Sequence, residues 1–146
     1  MAVDQNTERN KEAVRRMLEA FNTGDESHVD EVVHERHVDH TPFPGTTPDH
    51  SGLKTQIRAV HRAFPDAKFS IEHIVAEGDT VAFRWRMEGT HRGPLMDSGA
   101  PADPQPFVHF GNDFVVLSEG KIVEHFSADN IGELLSKLGL RPPLPR

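Results

Sequence analysis

Apolar residues recur along this chain first with a period near 3.6 and then with a period of 2, and the change falls just after Pro65-Asp66. Val14, Met17, Leu18 and Phe21 stand at i, i+3, i+4 and i+7, the single stripe of an amphipathic helix. Thr7 offers it a cap, and Asn22-Thr23-Gly24-Asp25 supplies stop and turn chemistry. A shorter second helix, capped by Ser27, would turn Val29, Val32 and Val33 inward. Asp39-His40-Thr41-Pro42-Phe43-Pro44-Gly45 must then be a loop, because two prolines forbid regular pairing. A third helix is predicted from about Gly52 to Phe64, with Leu53, Ile57, Val60 and Phe64 on one face.

Beyond that point alternation takes over. Phe69, Ile71, His73 and Val75 alternate with polar neighbours, Gly78-Asp79 turns the chain, and Val81, Phe83, Trp85 and Met87 alternate again. Residues 93–106 carry four prolines and two glycines and read as a connection between long strands. Strand character returns from Phe107 to Leu117, Ser118-Glu119-Gly120 makes a second hairpin turn, and Lys121 to Ser127 is the last strand. Ile131 to Leu140 suits a short final helix, followed by a proline-rich tail. Helices followed by an antiparallel meander predict an α+β fold, with N-terminal helices packed on one face of a curved sheet and a cone-shaped cavity between them.

Length and composition narrow the function more than the fold. The 146 residues suit one domain, here 1–146 with a core of about 8–140. With no cysteine, thiolate catalysis, disulfides and cysteine-based zinc sites are excluded. Sixteen Lys and Arg against 23 Asp and Glu leave a formal charge of −7, which argues against nucleic acid or an anionic membrane as partner. The start Met1-Ala2-Val3-Asp4-Gln5-Asn6 has neither the basic residues nor the apolar stretch of a signal peptide, so a soluble cytoplasmic protein is expected. Ten histidines are left to explain in a chain with no Tyr and one Trp.

Candidate chemistry comes from polar residues on otherwise apolar strands. Val123, His125 and Ser127 share one face of the last strand, and Asp129 continues the same parity where the strand ends. A carboxyl group there, with a histidine four residues back, has the makings of a general acid or base; it has equally the position of a cap for the final helix. His109 and Asp113 share parity on the preceding strand, alternating with Phe110 and Phe114, and would face either His125 or solvent. Arg84, Arg86 and Glu88 fit a charge ladder on the outer face. His34, His37 and His40 include the kind of spacing that invites a metal, but the pattern passes from helix to loop there, and no carboxylate stands at ligand spacing; no metal site is expected. His28, His50, His61 and His91 read as surface residues.

Several short motifs occur in a telling order. Val38-Asp39-His40-Thr41-Pro42-Phe43-Pro44-Gly45 is followed by Ala63-Phe64-Pro65-Asp66, then by Glu77-Gly78-Asp79-Thr80-Val81-Ala82 and Gly89-Thr90-His91-Arg92-Gly93. Gly120-Lys121-Ile122-Val123-Glu124-His125-Phe126 and the pair Leu134-Leu135 to Leu138-Gly139 complete the set. Together they resemble the SnoaL-like polyketide cyclases over roughly residues 8–140. The resemblance implies the cone-shaped α+β barrel of ketosteroid isomerase and nuclear transport factor two, with a curved antiparallel or mixed sheet. It implies ring closure in polyketide-type intermediates of antibiotic and other natural-product biosynthesis, with no cofactor, and a homodimer or homotetramer acting on a small hydrophobic substrate.

By that resemblance Asp129 is the acid/base group, and His125, His109 and His40 orient the substrate or stabilise a developing oxyanion. Trp85, Phe83, Phe110 and Phe114 supply apolar wall, while Asn130 and Met96 complete the substrate-binding set. Two departures accompany it. Counted without gaps from Glu124-His125, the family's aspartate position falls on Asn130, and a one-residue shift brings it to Asp129. The loop 94–106, with Met96-Asp97-Ser98-Gly99, differs from the relatives' stretch at the cavity mouth. The alternatives are a cofactor-free hydroxylase, an epoxide hydrolase, and a non-catalytic small-molecule-binding or dimerisation module.

Overall fold

A computed structural model describes residues 4–95, 99–129 and 131–137. The chain forms α1 (Gln5–Thr23), α2 (Ser27–Val32), β1 (Val33–Asp39), α3 (His50–Ala63), β2 (Lys68–Glu77), β3 (Thr80–His91), β4 (Gln105–Ser118), β5 (Lys121–Asp129) and α4 (Ile131–Lys137). The five strands make one open, curved sheet in the order β1-β5-β4-β3-β2, antiparallel except where β1 runs parallel to β5. Among the described residues no helix is long and apolar enough to cross a membrane.

The helices start and stop where side chains satisfy their free backbone groups. Asp4, not Thr7, caps α1 by accepting from the Asn6 N–H at 2.9 Å, and Gly24 ends the helix at φ 75° with its N–H on the Ala20 carbonyl. Thr7 instead donates its hydroxyl to the Asp4 carbonyl. Ser27 does not cap α2; it is the first helical residue, and its N–H and hydroxyl both donate to Asp25. Asp49 caps α3, and the Thr47 and Ser51 hydroxyls with the Gly52 N–H hold its carboxyl down to about 2. That cap sets the phase of α3, turning Leu53, Ile57 and Val60 toward the sheet.

One strand lies where the periodicity gave no sign of it. Val33 leaves α2 and starts β1, along which Val33 and His37 are buried while Glu35 and Arg36 are exposed. Alternation on β2 also breaks, at an irregular pairing between Ile71 and His73. Phe69 and Ile71 face inward before it and Ile74 and Ala76 after it, so His73 and Val75 turn outward, contrary to a single unbroken alternation. A second irregularity skips Val123 on β5, which lets both Ile122 and His125 face inward. The β4–β5 turn places Glu119 and Gly120 at φ 52° and 80°, the left-handed pair that matches strand twist in a tight hairpin.

The core lies between the inner sheet face and α1, α2 and α3. Val14, Val29, Val33, Ile57, Val81, Val115 and Ile122 are the largest of its fully buried side chains, each worth about 1.5–3 kcal/mol of burial. The outer sheet face carries Val38, Val75, Phe110, Phe114 and Phe126 exposed, together with the ion pairs Arg86–Glu88 and Arg84–Glu72.

Candidate active site

The curvature of the sheet leaves a cavity of about 360 Å³ between its inner face and α1 and α3. Its walls are apolar toward α1, α3 and β3, where Phe21, Leu53, Phe64, Phe83, Trp85 and Met87 contribute. Its polar groups gather at the other end, where β1, β5 and β4 lie side by side. Strand parity brings them together: Asp39 comes from β1, His125, Ser127 and Asp129 from β5, and His109 and Asp113 from β4.

Most of these groups are committed to one another. The Asp113 carboxyl accepts from Trp85 Nε1 at 3.0 Å, Ser127 Oγ at 2.9 Å and His125 Nε2 at 2.7 Å. On its other side the His125 ring presents Nδ1 to Asp39 at 3.5 Å. Burial opposes a charge on His125, but the hydrogen bonds and charges of Asp113 and Asp39 outweigh it and raise the imidazole to about 9. Burial likewise opposes the charged form of Asp39, yet His125 and the Thr41 N–H hold its carboxyl below the ordinary range. His125 is therefore an imidazolium clamped between two carboxylates, with both ring nitrogens engaged.

Among the described residues, the Asp129 and His109 side chains have only each other as polar partners. His109 Nε2 lies 3.5 Å from Asp129 Oδ2, with the Trp85 ring edge-on to the imidazole at 5.6 Å between centroids. About a quarter of the Asp129 side chain (23%) is exposed, against 7% of His109. The pair stands where the cavity meets an outer groove lined by Arg84, Phe110 and Lys137. A carboxyl group next to an imidazole, at the polar end of an apolar space, can move a proton and offer a hydrogen bond to a developing oxyanion.

Of the residues expected from the sequence, Asp129, His125, His109, Trp85 and Phe83 line the cavity. His40 does not. It sits on the outer face, stacked on Phe126 at 4.4 Å with Nε2 3.0 Å from Glu124, because β1 parity turns Asp39 inward in its place. Phe110 and Phe114 are also corrected. On β4 the odd positions from Phe107 to Leu117 are buried, so these two even positions face outward, Phe110 beneath the Arg84 guanidinium at 4.8 Å and Phe114 half exposed. Met96 and Asn130 lie outside the described residues.

Asp39 and Asp113 are the groups that reading the sequence undervalued. Asp113 shares parity with His109, a signal that was available; Asp39 sits in a segment whose polar run hides a strand. Of the three histidines at 34, 37 and 40, β1 directs His37 inward and His40 outward. Burial, aided by the nearby His125 cation, pushes His37 down to about 4. Among the described residues no group of three His, Asp or Glu side chains is placed to hold a metal ion. His91 too is buried, against Phe64.

Comparison with known proteins bears on the family and the fold. The family model for SnoaL-like polyketide cyclases matches residues 11–138. No curated protein matches the sequence. Among solved structures, a candidate polyketide cyclase from Bacillus cereus superposes with a TM-score of 0.78 at 26% identity, over 92% of this chain and 83% of that one. IdmH, a candidate polyketide cyclase from Streptomyces antibioticus, gives 0.73 at 28% identity, over 90% of this chain and 99% of that one. AclR, a candidate hydroxylase from Streptomyces galilaeus, gives 0.76 at 25% identity, over 96% and 87%.

Proposed function

The chain belongs to the SnoaL-like polyketide cyclases, and on that footing we propose that it closes a ring in a polyketide-type intermediate by acid/base chemistry, without a cofactor. The observation that carries this is that, among the described residues, the polar neighbours Asp113, His125, Ser127 and Trp85 are hydrogen-bonded to one another, while Asp129 and His109 have only each other and remain available to a ligand.

In the proposed step the Asp129 carboxylate takes the proton from a carbon next to a carbonyl, and the electron pair of that C–H bond passes into an enolate. The His109 imidazole donates to the enolate oxygen. The enolate carbon attacks a second carbonyl of the folded chain, forming a C–C bond, and the resulting alkoxide takes its proton back from Asp129. Substrate and product are isomers, or differ by one water where the new hydroxyl then leaves with a proton from the adjacent carbon. The apolar wall contributes by holding an extended chain folded so that its two reacting carbons meet. His125 does not touch the substrate in this scheme. Held between Asp39 and Asp113, it fixes the β1–β5–β4 end of the cavity and supplies a buried positive charge there.

The likeness to AclR favours one other reading, in which dioxygen is consumed and the product gains an oxygen atom. Deleting the gene and weighing what accumulates separates the two. An unclosed compound of the same mass as the normal product, or heavier by one water, supports cyclisation; a compound lighter by one oxygen atom overturns it.

A further inference from the structure

Hydrogen-bonding capacity on the cavity wall is almost fully used at the sheet. Trp85, Ser127 and His125 serve Asp113, and Thr41 accepts from the Ser127 N–H at 2.7 Å while its hydroxyl lies 3.4 Å from Asp39. One polar side chain stands apart. Gln56 lines the cavity from α3, half-buried, and has no hydrogen-bond partner among the described residues. It follows Leu53 by three positions and precedes Val60 by four, so it lies within the apolar stripe that α3 turns to the cavity. Its amide therefore stays open to whatever fills the cavity, water or a ligand, and a ligand that displaces the water without replacing its hydrogen bonds would leave the amide unsatisfied. The other end of the cavity holds the carboxyl groups of Asp39, Asp113 and Asp129 against one imidazolium, a poor setting for a carboxylate or phosphate.

We infer that Gln56 is a substrate-binding, specificity-determining residue that reads a neutral oxygen function, a hydroxyl or a carbonyl, on the α3 side of a carbon-rich molecule. This rests on the reading of the cavity as a substrate site. The ligand class it defines is an apolar, flat or folded body with neutral oxygens on two sides, one toward Gln56 and one toward Asp129 and His109. The carboxamide suits this role because it donates and accepts, so that it accommodates either oxygen type. A site built to pair an oxygen also rejects the analogue that lacks it, since its own amide would then be left dry.

The test uses two probes of the same ring system, 2,6-dihydroxynaphthalene and naphthalene, with dissociation constants from equilibrium dialysis. The wild-type protein binds the diol more tightly. Gln56→Leu weakens the diol roughly three- to tenfold, the range of one neutral hydrogen bond, and leaves naphthalene within about twofold. Gln56→Met, which keeps the length of the side chain, repeats the measurement should the leucine variant fold poorly. Equal affinity of wild type and both variants for the diol overturns the inference. So does a parallel loss of both probes, which would mean packing, or a wild-type cavity that does not prefer the diol. No turnover is involved, so a failure of the ring-closing chemistry would leave this result standing.

Discussion

His125 and Asp113 are joined across the β4–β5 pair by a 2.7 Å hydrogen bond, and the histidine carries its proton to about 9 because of it and of Asp39 behind. The sign of the consequence follows from linkage. The unfolded chain releases that proton near 6.5, so the stabilisation is complete below about 6.5 and is lost as pH rises through about 9. The raised imidazole contributes up to about 3 kcal/mol in that window. Denaturant unfolding at a series of pH values should show stability falling from 6.5 to 9.5, and His125→Gln should flatten the alkaline limb while lowering stability at neutral pH.

His37 produces the opposite slope. It is held neutral down to about 4 by burial, with the His125 cation adding to the effect, whereas the unfolded chain takes up the proton near 6.5. Stability is therefore present above 6.5 and is lost as pH falls toward 4, with the lowered Asp39 adding to the loss at more acidic pH. His37→Leu should remove most of the acid limb between 6.5 and 4, and chemical unfolding of the variant against the wild type reads this directly.

Gly111 leaves room for the Trp85 indole. A Cβ there would overlap the ring whose N–H donates to Asp113. Gly111→Ala should push the indole off Asp113, cost about 1–3 kcal/mol and shift the emission of the only tryptophan in the chain. Fluorescence and thermal unfolding together check it; an unchanged spectrum would mean that the ring is not held as described.

The two faces of β4 should respond differently to truncation. Phe107 is 6% exposed and packs on Phe64, so Phe107→Ala should cost about 3–5 kcal/mol. Phe114, half exposed on the outer face, should lose no more than about 0.5 kcal/mol on the same change in the monomer. Comparable losses measured by denaturant unfolding would contradict the assignment of faces.

The sequence revealed this architecture best where one period held without interruption. α1, α3, β3 and β4 follow from the spacing of Val14, Leu53, Phe83 and Phe107 with their neighbours, and β4 parity alone groups His109 with Asp113. It failed where the apolar signal was thin or the register slipped. β1 buries Val33 and His37 around the exposed Glu35 and Arg36, so no apolar alternation marks it, and without it His40 was preferred to its inward neighbour Asp39. The β2 irregularity cannot be seen in a run of apolar residues that supports either register before and after it. Phe110 and Phe114 look like wall by composition, and only the pairing of β4 shows that the polar residues between them face the cavity. Gln56 gives no signal in the sequence, because a glutamine next to Ile57 has the pattern of the solvent side of a helix.

The central claim is that Asp129, paired with His109, moves the proton in ring closure. The most direct measurement is the rate at which purified protein converts the precursor that accumulates on gene deletion, with wild type, Asp129→Asn and His40→Ala compared. The account predicts a product of equal mass or lighter by one water, a loss of roughly 10²–10⁴-fold in kcat for Asp129→Asn with its fold intact, and a change below about threefold for His40→Ala, which faces away from the cavity. Wild-type turnover by Asp129→Asn, or a product that has gained an oxygen atom, would contradict it.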